Sequence, residues 1–331
     1  MRAYVITNPG GPACLELQEI PDPTPKNGQV HIAIKAFGLN RAEAITRMGG
    51  SGKAVPFPRV IGIECVGTVL SCPGGELATG QTVVAAMGEM GRAYDGSYAE
   101  QTVVPVTNAF PIDTTLDWTT LGAVPETYFT AWGCCFSSMK LHKFNKPKVL
   151  VRPGASALAI AITQIVSHMG GEVLGITRSE HKVSRMLATG MKQVIVSDAQ
   201  VADQVLEIWP DGADGIVDTI VSKASLEDDF KIRSKKAHMC LAGSLTDSYD
   251  ASHAGSFEDA MSKPRVGFYD SGTISVKKDL GNIQKIVKRV EEGIYNPHID
   301  SVYDFEDLIS AHEKMDKNGF TGKVVIKVEK G

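Results

Sequence analysis

The stretch KVLVRPGASALAIAITQIVSHMGGEVLGITRSEHK, residues 148–182, decides how this chain folds. It opens with a short valine-rich run, Val149–Val151, that turns sharply at Pro153-Gly154. An apolar-periodic segment follows (Leu158, Ile160, Ile162, Ile165, Val166, Met169) and breaks at Gly170-Gly171. A second apolar run, Val173–Ile176, ends in Thr177-Arg178-Ser179. Strand, tight turn, helix, glycine break and strand make a βαβ unit, and its length suits a right-handed parallel crossover. In a dinucleotide-binding fold the pyrophosphate sits at that first turn, on the N–H groups of the helix N-terminus.

The glycine fingerprint of such turns, G-x-G-x-x-G, reads here Gly154-x-Ser156-x-x-Ala159. Gly154 still permits the tight turn, and Ala159 is small enough for close helix–strand packing. Ser156 stands where glycine would let the backbone approach phosphate, and its hydroxyl is able to donate a hydrogen bond there instead. Gly154, Ala155, Ser156, Ala157 and Leu158 are therefore the candidate phosphate cradle. A small-residue turn with no ligand fits the same residues equally well, so the end of the second strand carries the decision. There an NAD site places an acid on the ribose diol, whereas a 2′-phosphate is met by Arg. The chain offers Arg178, Ser179 and, a helical turn on, Lys182, with Glu180 beyond the strand tip. Two cations and a hydroxyl suit a dianionic phosphate, which makes NADPH the expected cofactor. The structural alternative is a solvated cationic helix start.

A chain of 331 residues has room for about two domains. With 43% apolar and 22% charged residues it has the composition of a soluble globular protein. The net charge of −4 argues against nucleic-acid and anionic-membrane partners, and Arg233-Ser234-Lys235-Lys236 reads as a solvated edge. The start, MRAYVITNPGG, lacks the apolar core of a signal peptide, and no run approaches membrane-spanning length. A cytoplasmic location is expected. The six cysteines contain no C-x-x-C pair and suggest no disulfide framework. Cys134-Cys135 lie in an apolar helical stretch and read as small buried thiols.

Residues 1–110 read as β-rich. Ala3–Thr7, Leu15–Glu19, Val60–Ile61, Gly67–Ser71, Thr82–Ala86 and Tyr98–Val104 are expected strands between Pro- and Gly-rich turns. Val30, Ile32, Ile34 and Ala36 alternate over His31, Ala33 and Lys35 as a half-buried strand, and Asn40 to Met48 suggests one or two helical turns. Trp118 to Met139 carries apolar residues at helical spacing, interrupted by Pro125. Beyond Ile176 a strand–helix rhythm continues through Val194–Val196, Gly215–Ile220, Ala237–Leu241 and Val266–Tyr269, with helices at Val183–Leu187 and Val201–Ile208. Leu280 to Val290 form an amphipathic face closed by Gly293. The tail adds a strand at Ile299–Tyr303, a helix from Phe305 to Met315 capped by Asp304 and ended by Gly319, and a last strand from Lys323 to Val328. The tail is expected to rejoin the first domain.

Seven segments together resemble one known family: GLNRAEAITRMG (38–49), PRVIGIECVGTV (58–69), GSYAEQTVV (96–104), VPETYFTAW (124–132), GADGIVDTI (212–220), LAGSL (241–245) and FTGKVVIKV (320–328). In this order the chain resembles the medium-chain dehydrogenase/reductases, and within them the zinc-free quinone oxidoreductase (zeta-crystallin-like) group. The resemblance implies an α/β protein with a discontinuous GroES-like β-barrel catalytic domain over 1–122 and 294–331. It also implies a Rossmann domain, a doubly wound parallel sheet, over 123–293, and an active cleft between the two. Zinc-dependent relatives supply Cys from the segment matching Gly38-Leu39-Asn40 and His from the one matching Gly62-Ile63-Glu64. Here Asn40 and Ile63 stand instead. Ile63 cannot ligate and Asn40 is a poor zinc ligand, while Met87–Tyr98 lacks the four cysteines of a structural zinc lobe. No metal is expected.

Without zinc no Lewis acid polarises an alcohol or simple ketone, so hydride needs an acceptor that is already electrophilic: a quinone or an α,β-unsaturated carbonyl. The resemblance places Asn40 and Thr130 near the nicotinamide, and Leu241, Ala242, Gly243 and Phe268 on the cofactor. Read without it, Asn40 is a helix N-cap and Thr130 a helix-interior hydroxyl. Many relatives carry a Tyr five residues after the Asn, where this chain has Ile45. Tyr128, Tyr94 and Tyr98 are the candidate substitutes as proton donor, with Tyr128 placed in the site, and water is the alternative. Two other functions fit: a non-catalytic NADPH-binding redox sensor or structural protein, and an enoyl reductase acting on a longer acyl or polyketide-like chain. A homodimer paired through the outer strands, Val266–Tyr269 beside Ala237–Leu241, is expected to close the sheet edge.

Overall fold

The alternating run at Val30–Ala36 becomes β3 (Gln29–Gly38), with its even-numbered residues up to Ala36 buried and the intervening ones half-buried. A computed structural model describes residues 1–197, 201–243 and 251–328, the side chains of 251–256 excepted. Before β3, β1 (Arg2–Val5) and β2 (Glu16–Glu19) form a separate antiparallel pair. After it come α1 (Arg41–Arg47), β4 (Glu64–Ser71), β5 (Thr82–Ala86), β6 (Gln101–Pro105) and β7 (Ala109–Pro111). Val60–Ile61 is not a strand. Arg59 makes a single bridge with Ile6, and the Val60 and Ile61 carbonyls accept hydrogen bonds from Gly96 and Tyr98. The residues are apolar because they are buried in that loop, not because they lie in a ladder.

The helical stretch divides at Pro125 into α2 (Trp118–Gly122) and α3 (Pro125–Trp132), and the chain then winds as a π-helix over Gly133–Ser138. The decisive stretch folds as β8 (Lys148–Arg152), α4 (Ala157–His168) and β9 (Glu172–Thr177). It is followed by α5 (Val183–Ala188), β10 (Gln193–Val196), α6 (Val201–Ile208), β11 (Ala213–Asp218), α7 (Lys223–Ile232), β12 (Arg233–Leu241), α8 (Ala251–Ser262) and β13 (Val266–Phe268). These strands build a six-stranded sheet in the order β10-β9-β8-β11-β12-β13, every pairing parallel. That is the doubly wound order, in which the sheet grows one way from β8 and then the other, leaving a switch point beside β8. Its core brings Leu150, Leu174, Ile195, Ile216 and Met239 against Trp209, Leu226 and Ile232.

The chain ends with α9 (Val276–Glu291), β14 (Ile299–Asp304), α10 (Leu308–Asp316) and β15 (Lys323–Lys327). β14 and β15 join the first sheet in the order β14-β15-β3-β4-β5-β7, with β6 also on β3. Asp304 precedes a 3-10 turn, Phe305–Asp307, without a side-chain cap bond, and the α-helix proper starts only at Leu308. Asn318, at φ 51°, takes the left-handed position ahead of Gly319. Among the described residues no helix is long and apolar enough to cross a membrane.

Packing divides the chain into two compact units: Met1–Phe129 with Ser271–Gly293 and Ile299–Gly331, and Thr130–Asp270 with Ile294–His298. These bounds differ from the sequence division at 122/123 and 293/294. Residues of α9 side with the first unit because Gln284 bonds Asp113 at both its amide atoms and Glu291 accepts from Thr114 and Thr115. Residues after α9 side with the second, where Asn296 exchanges hydrogen bonds with Gln164 and Tyr295 meets His168 edge-on. Strand–helix rhythm carries no record of such contacts between distant side chains.

Candidate active site

In the first unit, Asn40 occupies the N-cap position of α1 with extended backbone (φ −124°, ψ 151°). Its N–H donates to Glu43 Oε2 at 2.5 Å, and the other Glu43 oxygen accepts from Ile63 N at 3.0 Å. The Asn40 side chain faces the opposite way chemically. Nδ2 donates to Glu64 Oε1 at 2.8 Å, while Oδ1 accepts from Lys323 Nζ at 2.7 Å. Lys323 Nζ also donates to Glu64 Oε1 at 2.6 Å. The second Glu64 oxygen accepts from the Glu126 N–H at 2.7 Å, in the first turn of α3, where the helix dipole favours a carboxylate.

Both charges of the Glu64–Lys323 pair are buried, with side chains 0% and 3% exposed. Taking two ions out of water costs several kcal/mol each, so the pair persists only with its remaining lone pairs and protons satisfied. Gly38 makes the pairing sterically possible. A Cβ there would lie 2.1 Å from Lys323 Cε and 2.7 Å from Glu64 Oε1. Burial, and then the neighbouring Glu64, push the Glu43 carboxyl up to about 8, against the backbone N–H groups of Ile63 and Asn40. Sequence reasoning singled out Asn40 but gave neither Glu64 nor Lys323 a role. The available signal was a lysine at the head of the apolar run Lys323–Ile326, all four residues of which are buried.

A zinc ion does not fit this donor set. The Asn40 and Glu64 oxygens converge on an ammonium, Ile63 offers no ligand atom, and zinc wants thiolate, imidazole or free carboxylate in tetrahedral array. Among the described residues, no three His, Cys, Asp or Glu side chains gather as a metal site. Tyr128, placed in the site as a proton donor, is buried on α3, 1% exposed. Thr130 is half-buried and begins the second unit.

In the second unit the remaining candidates collect at the C-terminal ends of β8, β9, β12 and β13. Gly154 N donates to Ile176 O at 2.7 Å, and a Cβ on Gly154 would meet the Met186 methyl at 2.5 Å and Gly175 Cα at 2.9 Å. Close packing thus dictates that glycine. Ser156 is the N-cap of α4: its Oγ accepts from Ala159 N at 3.1 Å and donates to Pro153 O at 3.0 Å. Here its oxygen caps the helix and its proton points back into the turn. The backbone N–H groups of Ala157 and Leu158, in the first turn of α4, have no acceptor among the described residues. Ala155 is buried, and Ala157 and Leu158 are half-buried.

Arg178 is exposed at the tip of β9; Ser179 N donates to Thr177 Oγ1 at 3.1 Å, and Ser179 precedes, without a side-chain cap bond, a 3-10 turn that carries the half-buried Lys182. Leu241 is buried at the end of β12, Ala242 N donates to Asp218 O at 3.3 Å, and Gly243 is exposed with φ 85°. The rest of the LAGSL segment, 244–245, lies outside the described residues. Phe268 is 45% exposed at the sheet edge, edge-on to Phe257 at 5.9 Å. The C-terminal end of the central strand β8 holds a group that the sequence reading missed. Arg152, which closes β8, is 5% exposed and lies 2.7 Å from Asp229 Oδ1 of α7.

Known proteins carry the same two units. Residues 26–114 match the family described as alcohol dehydrogenase GroES-like domain, and residues 189–326 match the family described as zinc-binding dehydrogenase. The quinone oxidoreductase of Pongo abelii is 25% identical over 337 residues, covering 98% of this chain and 97% of the relative. The chain belongs to the medium-chain dehydrogenase/reductase superfamily. Within that superfamily of oxidoreductases it falls in the quinone oxidoreductase-like group. The human synaptic vesicle membrane protein VAT-1 homolog is another full-length relative, 23% identical over 349 residues, 98% of this chain and 86% of that protein. In fold, a mycobacterial protein solved in complex with NADPH superposes with a TM-score of 0.84 at 22% identity, over 99% of this chain and 100% of that one.

Proposed function

We propose that this chain is an NADPH-dependent oxidoreductase that passes hydride, without a metal ion, to an acceptor that is already electrophilic: a quinone or an α,β-unsaturated carbonyl. The observation that carries the reading is the Lys323 ammonium seated on Asn40 and Glu64. With that position taken by a fixed side-chain cation, no Lewis acid polarises the acceptor, which must bring its own electrophilicity. Bound NADPH would supply the hydride, and a solvent proton completes the two-electron reduction. The chain's part is binding and orientation. The Ala157 and Leu158 N–H groups serve the pyrophosphate, Arg178 and Lys182 the 2′-phosphate, and Asn40 and Thr130 hydrogen-bond oxygens at the nicotinamide end. The NADPH complex of the mycobacterial neighbour supports a pyridine nucleotide here.

Cofactor choice gives a direct test of one part. A charge-assisted hydrogen bond contributes about 1.5–3 kcal/mol, so Arg178→Ala should weaken NADPH binding by ~10- to 150-fold and leave NADH binding unchanged. Fluorescence titration reads both. Equal affinity of the unmutated protein for the two cofactors would sink the assignment. The reaction itself is tested by NADPH consumption with a panel of quinones and enones beside saturated ketones, with and without chelator. Turnover confined to the activated acceptors and indifferent to chelator is expected. Binding of NADPH with no consumption would point to the non-catalytic reading instead.

A further inference from the structure

We infer that Lys323 is a positioning residue which, together with Glu64, locks the Asn40 carboxamide so that it presents an N–H, and not its oxygen, to a ligand. A carboxamide has two nearly isosteric ends, and only its partners decide which way it lies. Here the partners allow one answer. The ammonium of Lys323 is donor-only, so the atom 2.7 Å from it must be Oδ1. The Glu64 carboxylate is acceptor-only when ionised, so the atom 2.8 Å from it must be Nδ2. A flipped amide would set N–H against ammonium and oxygen against carboxylate, two repulsive contacts at buried charges.

The anchors are themselves fixed. Lys323 donates to Glu64 at 2.6 Å, Glu64 is tied to α3 through the Glu126 N–H at 2.7 Å, and Gly38 leaves the channel through which Lys323 reaches them. The backbone of Asn40 is held separately, by Glu43. One Nδ2 hydrogen goes to Glu64, and the other has no acceptor among the described residues. That hydrogen is the group offered to a ligand, and its complement is an acceptor-only oxygen, the carbonyl of a quinone, an enone or a carboxamide. This assignment rests on the proposed function only in taking Asn40 to face a ligand; the lock itself stands on the hydrogen bonds.

The test pairs a spectroscopic readout with kinetics. In asparagine-labelled full-length protein, the side-chain NH2 signals that vanish in Asn40→Ala report the lock. They should be sharp and slow to exchange in the unmutated protein, and broadened or shifted to free-amide values in Lys323→Met. With an acceptor that supports turnover, kcat/KM should fall ~10-fold in Asn40→Ala and in Lys323→Met, the upper end for one lost hydrogen bond between neutral groups. The double variant should be no worse than Asn40→Ala, because Lys323 acts through Asn40. Asn40→Asp keeps the bond from Lys323 but lacks the N–H, and should lose as much. If Lys323→Met does not fold, Glu64→Gln gives the same reading, since a neutral amide there no longer excludes the flipped Asn40. Unchanged NH2 signals in the Lys323 or Glu64 variant, or losses that multiply in the double variant, would overturn the inference. Absence of turnover in the unmutated protein would strike the proposed function alone, and the NH2 signals would still judge the lock.

Discussion

Replacing Arg152 by methionine should cost the protein about 3–5 kcal/mol of stability, the toll of breaking a buried ion pair from one side. Arg152 ends β8 with its guanidinium 2.7 Å from Asp229 Oδ1 and 3.8 Å from Asp228 Oδ2, and the Asp229 side chain is fully buried. Asp218, at the end of the neighbouring β11, is buried as well. Its carboxylate accepts from Ser225 Oγ at 2.6 Å and from the Ile220 and Val221 N–H groups. Burial pushes the Asp229 carboxyl up, Arg152 opposes the rise, and Asp218 adds to it. Without the guanidinium, Asp229 is left beside another acid with no cation. Arg152→Met with Asp229→Leu should recover most of the loss, because an apolar pair of similar volume often replaces a buried ion pair at little cost. Urea midpoints at constant m measure both. A double variant no more stable than the single one would contradict the pairing.

The second large effect concerns pH. His312 is fully buried between Arg47 and Tyr98: its Nδ1 accepts from Arg47 at 2.9 Å, so the ring proton sits on Nε2 and is donated to Tyr98 Oη at 2.8 Å. Burial first, then Arg47 and Arg41, hold His312 down to about 3. The unfolded chain takes up that proton from about pH 6.5, so acidification through this window removes about 1.4 kcal/mol of stability per pH unit. Glu43 acts with the opposite sign. Raised to about 8 in the folded state, it keeps a proton that the unfolded chain releases near pH 4.5, and stability falls as pH rises between these values. Between about pH 4.5 and 6.5 the two slopes cancel. Below the plateau His312 alone lowers stability, and above it Glu43 alone does so.

The single variants separate the arms. His312→Gln can accept from Arg47 and donate to Tyr98 without titrating. It should abolish the acid arm and leave stability rising as pH falls from 8 to 4.5. Glu43→Gln should abolish the alkaline arm. Urea unfolding over a pH series reads the slopes, and an acid arm that persists unchanged in His312→Gln would refute the assignment.

Much of the fold was legible because it is written in short-range patterns. The valine-rich run before Gly154, the helical period to Met169 and the strand ending at Thr177 each state their own structure, and parallel pairing follows from their spacing. Ser156 shows how one residue carries two signals: a serine before a helical run is a helix cap as well as a candidate phosphate ligand. The candidate site was half legible. Asn40 was visible as a departure at a known position, but its partner Lys323 lies 283 residues away and its function depends on a contact no spacing records. Arg152 and Asp229 are hidden in the same way, as one charge at the end of an apolar run and another in a mostly polar helix. Packing groups α9 with the first unit, which no sequence pattern announces: Gln284 and Glu291 sit on an ordinary amphipathic helix, and only their partners reveal which unit they serve.

Hydride transfer is the central claim, and single-turnover stopped flow tests it most directly. Protein pre-equilibrated with NADPH is mixed with a quinone or an enone in the presence of chelator, and the reduced-nicotinamide absorbance is followed. The account predicts decay at a rate set by the acceptor, slowed by deuterium at the transferring position of the nicotinamide and indifferent to the chelator. NADPH that binds yet is oxidised by no acceptor in the panel, or oxidation that disappears when zinc is stripped, would contradict it.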